Sequence, residues 1–143
     1  MNNSVSALDV DGSGNLYVGG WFTTAGGVAA NYVARWDGSS WSALGSGMNS
    51  QVNALAVYNG QLIAGGDFTT AGGVSANYIA AWNGSAWSAL GSGIAGSASS
   101  VNALTTYNGQ LIAGGDFHIV GGVSASLIAT WNGIAWSALG RGI

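Results

Sequence analysis

Few residues in this 143-residue chain can do acid–base, metal or electrostatic chemistry. They are Asp9, Asp11, Asp37, Asp67, Asp116, Arg35, Arg141 and His118; lysine, glutamate and cysteine are absent. General acid–base catalysis needs groups of matched protonation behaviour within reach of each other. With no second histidine and no thiolate to assist it, His118 is expected to form neither a copper site nor a nucleophilic triad. This inventory points away from an enzyme, and no cofactor or metal is expected.

Three stretches still invite a chemical reading. Gly65–Gly73, GGDFTTAGG, has the glycine density of a phosphate loop. Such a loop needs a following helix, whose N-terminus faces the anion, and usually a lysine. Here no lysine exists and the motif recurs, so the stretch is expected to join two strands. Asp9-Val10-Asp11-Gly12-Ser13-Gly14-Asn15 begins like a calcium loop, but Gly20 stands where that loop closes on a carboxylate. A glycine-rich hairpin is the expectation, with Asp11 contributing little. Asp67 and Asp116 follow a Gly-Gly pair, and Trp21 holds the matching place in the first copy. Carboxylates accept from hydroxyls and indole faces stack on sugars, so these three residues suit a cation or polyol site. The competing role is capping of local backbone N–H groups. His118-Ile119-Val120, which replaces Thr-Thr-Ala of the other copies, is either drift in a tolerant loop or a contact patch.

Composition narrows the partners. A net charge of -3 with two cations cannot neutralise a run of phosphates, which disfavours nucleic acid and an anionic membrane surface. No apolar run approaches the ~20 residues of a membrane-spanning helix, and the N-terminus lacks the basic and apolar regions of a signal peptide. The 48% hydrophobic content and seven tryptophans speak for a packed domain despite 26 glycines. With no cysteine, the compartment stays undefined.

The elements that must position these residues repeat. Gly-Gly recurs at Gly19-Gly20, Gly65-Gly66 and Gly114-Gly115; tryptophan pairs recur at Trp36/Trp41, Trp82/Trp87 and Trp131/Trp136. Residues 52–94 and 101–143 align without a gap and agree at 33 of 43 positions. The repeats run about 5–51, 52–100 and 101–143 in a single domain, 1–143. Such likeness fits recent duplication or deliberate construction. Each copy reads as four short strands, for example 52–58, 61–68, 77–83 and 86–90, with no helical period. Asn59-Gly60, Asn83-Gly84 and Asp37-Gly38 are hairpin signals, since a type I′ turn needs positive φ at both central residues. The fold class is therefore all-β, with four-stranded antiparallel blades, three per chain.

A Gly-Gly pair ending an apolar strand, an aromatic and then a tryptophan after a short turn resembles the kelch motif of β-propellers, three times over. That resemblance implies that the Gly-Gly strand is innermost, that the tryptophan pairs wedge between blades, and that 52–57 forms an outer edge. Blades would then run 15–58, 61–107 and an incomplete 110–140, with strand 5–10 left over. Propellers close with about four to eight blades. A homodimer would make a six-bladed ring, each strand 5–10 completing the partner's last blade; a piece of a longer propeller is the rival. The function that follows is a non-catalytic, self-assembling scaffold or protein-interaction module. A carbohydrate-binding propeller with one weak site per blade is the alternative.

Overall fold

The structure is a computed structural model and describes residues 1–96 and 99–142; Ile143, the end of the third repeat, lies outside them. Among the described residues, eighteen strands form three equivalent groups. The first holds β1 Val5–Val10, β2 Leu16–Gly20, β3 Thr24–Ala25, β4 Val28–Ala29, β5 Val33–Trp36 and β6 Trp41–Ala43. The second holds β7 Val52–Tyr58, β8 Gln61–Gly66, β9 Thr70–Ala71, β10 Val74–Ser75, β11 Ile79–Trp82 and β12 Trp87–Ala89. The third holds β13 Ser100–Tyr107, β14 Gln110–Asp116, β15 Ile119–Val120, β16 Val123–Ser124, β17 Ile128–Trp131 and β18 Trp136–Ala138. The large strands pair antiparallel as β1-β2-β5-β6, β7-β8-β11-β12 and β13-β14-β17-β18, so every copy is a complete four-stranded blade.

Two sequence expectations change here. The third blade is not short of a strand, and β1 is not exchanged: it pairs with β2 of its own chain, Val10 opposite Leu16 and Val5 opposite Gly20. The blades are thus 5–43, 52–89 and 100–138, in phase with the repeats rather than shifted by one strand. The Gly-Gly strand is not innermost either. Blades approach each other most closely through β1, β7 and β13, which places those strands at the centre and the tryptophan strands β6, β12 and β18 at the rim. The apolar, non-alternating run LIAGG was a sound sign of burial on both faces. The second strand of a blade meets that condition as well as the first.

The glycine pairs have separate steric tasks. A Cβ placed on Gly19 would meet Val52 Cγ1 at 2.5 Å, so this glycine is a socket for the next blade's inner strand. A Cβ on Gly20, Gly66 or Gly115 would strike the backbone carbonyl of Ser4, Gln51 or Ser100, where the inner strand of the same blade bulges. Close backbone approach of this kind is what glycine permits.

Turn chemistry divides in two. Asn59 and Gly60 have φ of 49° and 73°, as a type I′ hairpin requires. At 83–86 only Gly84 is positive, and the Asn83 carboxamide oxygen instead accepts the N–H groups of Ser85 and Ala86 at 2.8 and 2.9 Å. GGDFTTAGG does join two strands, and it also folds into a small hairpin, β9–β10, that contains Gly72-Gly73. Phe22, Phe68 and Phe117 are buried beneath these small hairpins and fasten them to the blades.

Two cores lie between blades. Val52, Leu55, Leu62, Phe68 and Trp87 pack on Tyr17, Val33 and Leu44 between the first pair. Tyr58, Ile63, Ile79 and Leu90 pack on Val101, Leu111 and Trp136 between the second. The indole N–H of Trp87 reaches back to the Leu44 carbonyl at 2.8 Å, and that of Trp136 to Leu90 at 3.0 Å. Tryptophans at the rim therefore bolt each blade to the one before it.

Candidate functional site

Trp21, Asp67 and Asp116 each follow their blade's Gly-Gly pair, where the chain leaves the second strand, so repetition places them at one end of the molecule. Their surroundings differ. Trp21 is exposed and packs edge-on against Tyr32, ring centroids 6.0 Å apart. Asp67 is bound by side chains rather than by the turn N–H groups expected of a cap. Its carboxylate accepts from Gln51 Nε2 at 2.6 Å and Asn53 Nδ2 at 3.1 Å. The Asn53 amide also reaches Asn102 Oδ1 in the next blade at 3.1 Å, which extends the polar network across two blades. Asp116 is exposed on a cavity of about 500 Å³ shared with His118, Ile119 and Leu127.

That cavity brings a serine to the histidine. His118 Nδ1 and Ser126 Oγ stand 3.0 Å apart, a pair the sequence reading missed because Ser126 replaces Asn77 in the same loop change that introduces His118. Asp116 makes no ion pair with His118, and both side chains are open to solvent. A nucleophile–base relay needs a third group to orient the base, and a catalytic electrostatic site works best with water excluded. Neither condition is met among the described residues. Of the expected patch at 118–120, His118 and Ile119 are exposed but Val120 is buried against Ile94, so the patch reduces to two residues.

At the opposite end of the strands Asp11 carries more structure than expected. Its Oδ1 accepts the N–H groups of Ser13 and Asn15 at 2.9 and 3.0 Å, while Oδ2 accepts from Asn15 Nδ2 and the Tyr17 hydroxyl, each at 2.9 Å. The Asn15 bonds above all hold its pKa down to about 2, against the opposing effect of desolvation. Burial first, and then its hydroxyl's bond to Asp11, raises the pKa of the Tyr17 phenol. With its carboxylate committed to the hairpin, Asp11 supports the turn reading rather than a calcium loop. Asp9 is committed as well, since its Oδ2 accepts the Val57 N–H of the next blade at 3.0 Å.

Arg35 was also missed. It lines a cavity of about 230 Å³ with Asp11, Tyr17, Gln61 and Trp82, and its Nε is buried with no partner among the described residues. The sequence held the signal in its repeat mismatches: Asp11, Tyr17 and Arg35 stand where the second copy has Tyr58, Ile63 and Ala81.

Three complete four-stranded antiparallel sheets, stacked through repeated glycine sockets and tryptophan bolts, make this a β-propeller-like repeat protein. A β-propeller domain family of unknown function (DUF5122) matches residues 12–37 and 59–80, about a third of the chain, and spans β2–β5 and β8–β10 with the start of β11. A comparison with the curated proteins found no match.

Proposed function

We propose that the chain is a non-catalytic β-propeller module, of kelch-like character, whose two outer blade faces join a second copy to close a six-bladed ring. The observation that carries this reading is the pair of uncovered faces. The inner strand of the middle blade is buried along most of its length, whereas β1 exposes Val5 and Leu8, the counterparts of Val52 and Leu55, and β13 exposes Ala103, Thr105 and Tyr107, the counterparts of Ala54, Ala56 and Tyr58. Contiguous apolar surface of that kind marks an interaction site. Between four and eight blades, the only closed count that whole three-bladed chains can reach is six. Closure would gather Trp21, Asp67 and Asp116 of both copies around one mouth, a rim suited to gripping a protein partner.

Native mass spectrometry tests this. Twice the 14.1 kDa chain mass is expected, and a stable monomer at micromolar concentration would refute it. A carbohydrate-binding mouth is the second reading, favoured by the exposed Trp21 face beside the Asp67–Gln51–Asn53 network. A glycan array separates the two: a signal lost in both Trp21→Ala and Asp67→Asn supports sugar binding, and none supports the scaffold.

A further inference from the structure

The internal blade contacts specify how two copies would meet. At each, a valine of the following inner strand enters a glycine socket of the preceding blade. The Val52 Cβ stands 3.1 Å from a Cβ built on Gly19, and the Val101 Cβ 2.9 Å from one built on Gly65. Val52 and Val101 are fully buried there, at 0% exposure. The third valine and the third socket are both unused. Val5, the counterpart of Val52, is 44% exposed, and around Gly114 the nearest atoms to a built Cβ are 3.8 and 4.0 Å away.

The same pairing of unused halves recurs along both faces. Leu8 is 62% exposed where its counterpart Leu55 is 7%, and Tyr107 is 63% exposed where Tyr58 is 7%. Trp41 stands where Trp87 and Trp136 donate to the carbonyls of Leu44 and Leu90, and Leu139, the third such leucine, is exposed.

From these matched vacancies, and resting on the ring reading above, we infer that the two uncovered faces bind each other head to tail. Val5 of each copy seats in the Gly114 socket of the other, so the contact is made twice and closes on itself. The occupant of each face is thus a second copy of this chain, because its opposite face carries the very knobs that fill the sockets. A two-fold contact of unlike faces that closes gives a ring, whereas one that fails to close gives a filament.

The absence of native cysteine allows a direct test. Disulfides need Cβ atoms about 3.5–4.5 Å apart, near the spacing of the internal knob and socket. Val5→Cys and Gly114→Cys proteins, prepared separately and mixed under mild oxidation, should give a crosslinked dimer, while each alone should give none. The double variant should stop at a dimer joined by two disulfides. Gly114→Val, whose added Cβ makes only ordinary contacts in its own chain, should keep the wild-type circular dichroism and raise the dimer dissociation constant at least tenfold. Crosslinking of Val5→Cys to itself would overturn the head-to-tail inference, and a ladder of higher oligomers from the double variant would overturn closure. Wild-type dimers that form with no mixed crosslink would overturn the register while sparing the ring. A wild-type monomer would remove both.

Discussion

Replacing Gly65 by alanine plants a methyl group between two blades. The added Cβ would lie 2.9 Å from the Val101 Cβ, while carbon atoms rest about 3.5–4.0 Å apart. Val101 is fully buried, and its Cβ is fixed by the backbone, so rotation of a side chain cannot relieve the contact. The blades must part by roughly 0.5–1 Å, and overpacking of this kind costs about 1–3 kcal/mol. At roughly 4 °C per kcal/mol for a domain of this size, the midpoint of thermal unfolding should fall by roughly 4–12 °C. Val101→Ala should itself destabilise, by about 1.6 kcal/mol for two buried carbons plus a cavity contribution. In the double variant the new methyl moves into the space the valine left. The pair should therefore be coupled by about 1–3 kcal/mol in the favourable direction, and the double variant should be about as stable as Val101→Ala alone. Urea titrations of the four proteins, followed by tryptophan fluorescence, complete the cycle. Gly114→Ala supplies the control: measured on dilute protein it should change stability by no more than about 0.5 kcal/mol. Strictly additive losses at Gly65 and Val101, or an equal loss at Gly114, would refute the socket.

Three further outcomes follow from particular groups. Trp87→Phe removes the donor to the Leu44 carbonyl and leaves that buried acceptor unpaired, at a cost of about 1–3 kcal/mol beyond the ring change, visible as a lower urea midpoint. Asp11 is acidic in the folded state, about 2 against its usual 3.8, so its stabilisation is present above pH ~4 and lost as pH falls toward 2. Asp11→Asn should accordingly cost about 1 kcal/mol at pH 7, after allowance for screening of a partly exposed group. The gap from wild type should close by pH ~2, and a gap that holds constant across that range would contradict the hydrogen-bond account. His118→Ala should leave hydrolysis of an activated ester at the level of the parent protein, because the Ser126 pair has no orienting carboxylate. A His118-dependent rate would contradict the non-catalytic reading.

The fold was largely readable because its signals are local. Each Asn-Gly at a hairpin, each apolar run and each tryptophan spacing acts within one blade, and the copies repeat the message three times. The phase of the blades was not readable. Whether strand 5–10 opens the first blade or closes the last depends on whether it pairs with a Gly-Gly strand or with a tryptophan strand, and both pairings use the same apolar pattern. The deciding fact is steric: Gly20 leaves room for the bulge of β1 beside Ser4, and only atomic distances show it. The site was legible in part. Asp67 and Trp21 were placed at one end of the blades, but the amides that commit Asp67 come from Asn53 of the adjacent strand and from Gln51 just before it, 14 and 16 residues away and beyond the reach of motif spacing.

The repeat mismatches mark where the copies are asked to do different things. Between the first and second blades the chain spends polar residues, Asp11, Tyr17 and Arg35, on a contact that apolar Ile63 and Ala81 serve between the second and third. The uncovered face of the third blade follows the apolar pattern at Tyr107 and Ile112 but adds hydroxyls at Thr105 and Thr130. The exposed Thr105 lowers the apolar exposure of a free chain, whereas the buried Thr130 donates to Gln110 Oε1, and neither fills the glycine socket. The socket at Gly114 serves no tight contact within one chain, since an added Cβ would meet only the Leu127 carbonyl at 3.8 Å and the Ala103 Cβ at 4.0 Å. Its retention beside polar neighbours is what a face requires if it must tolerate water before assembly and accept a valine afterwards.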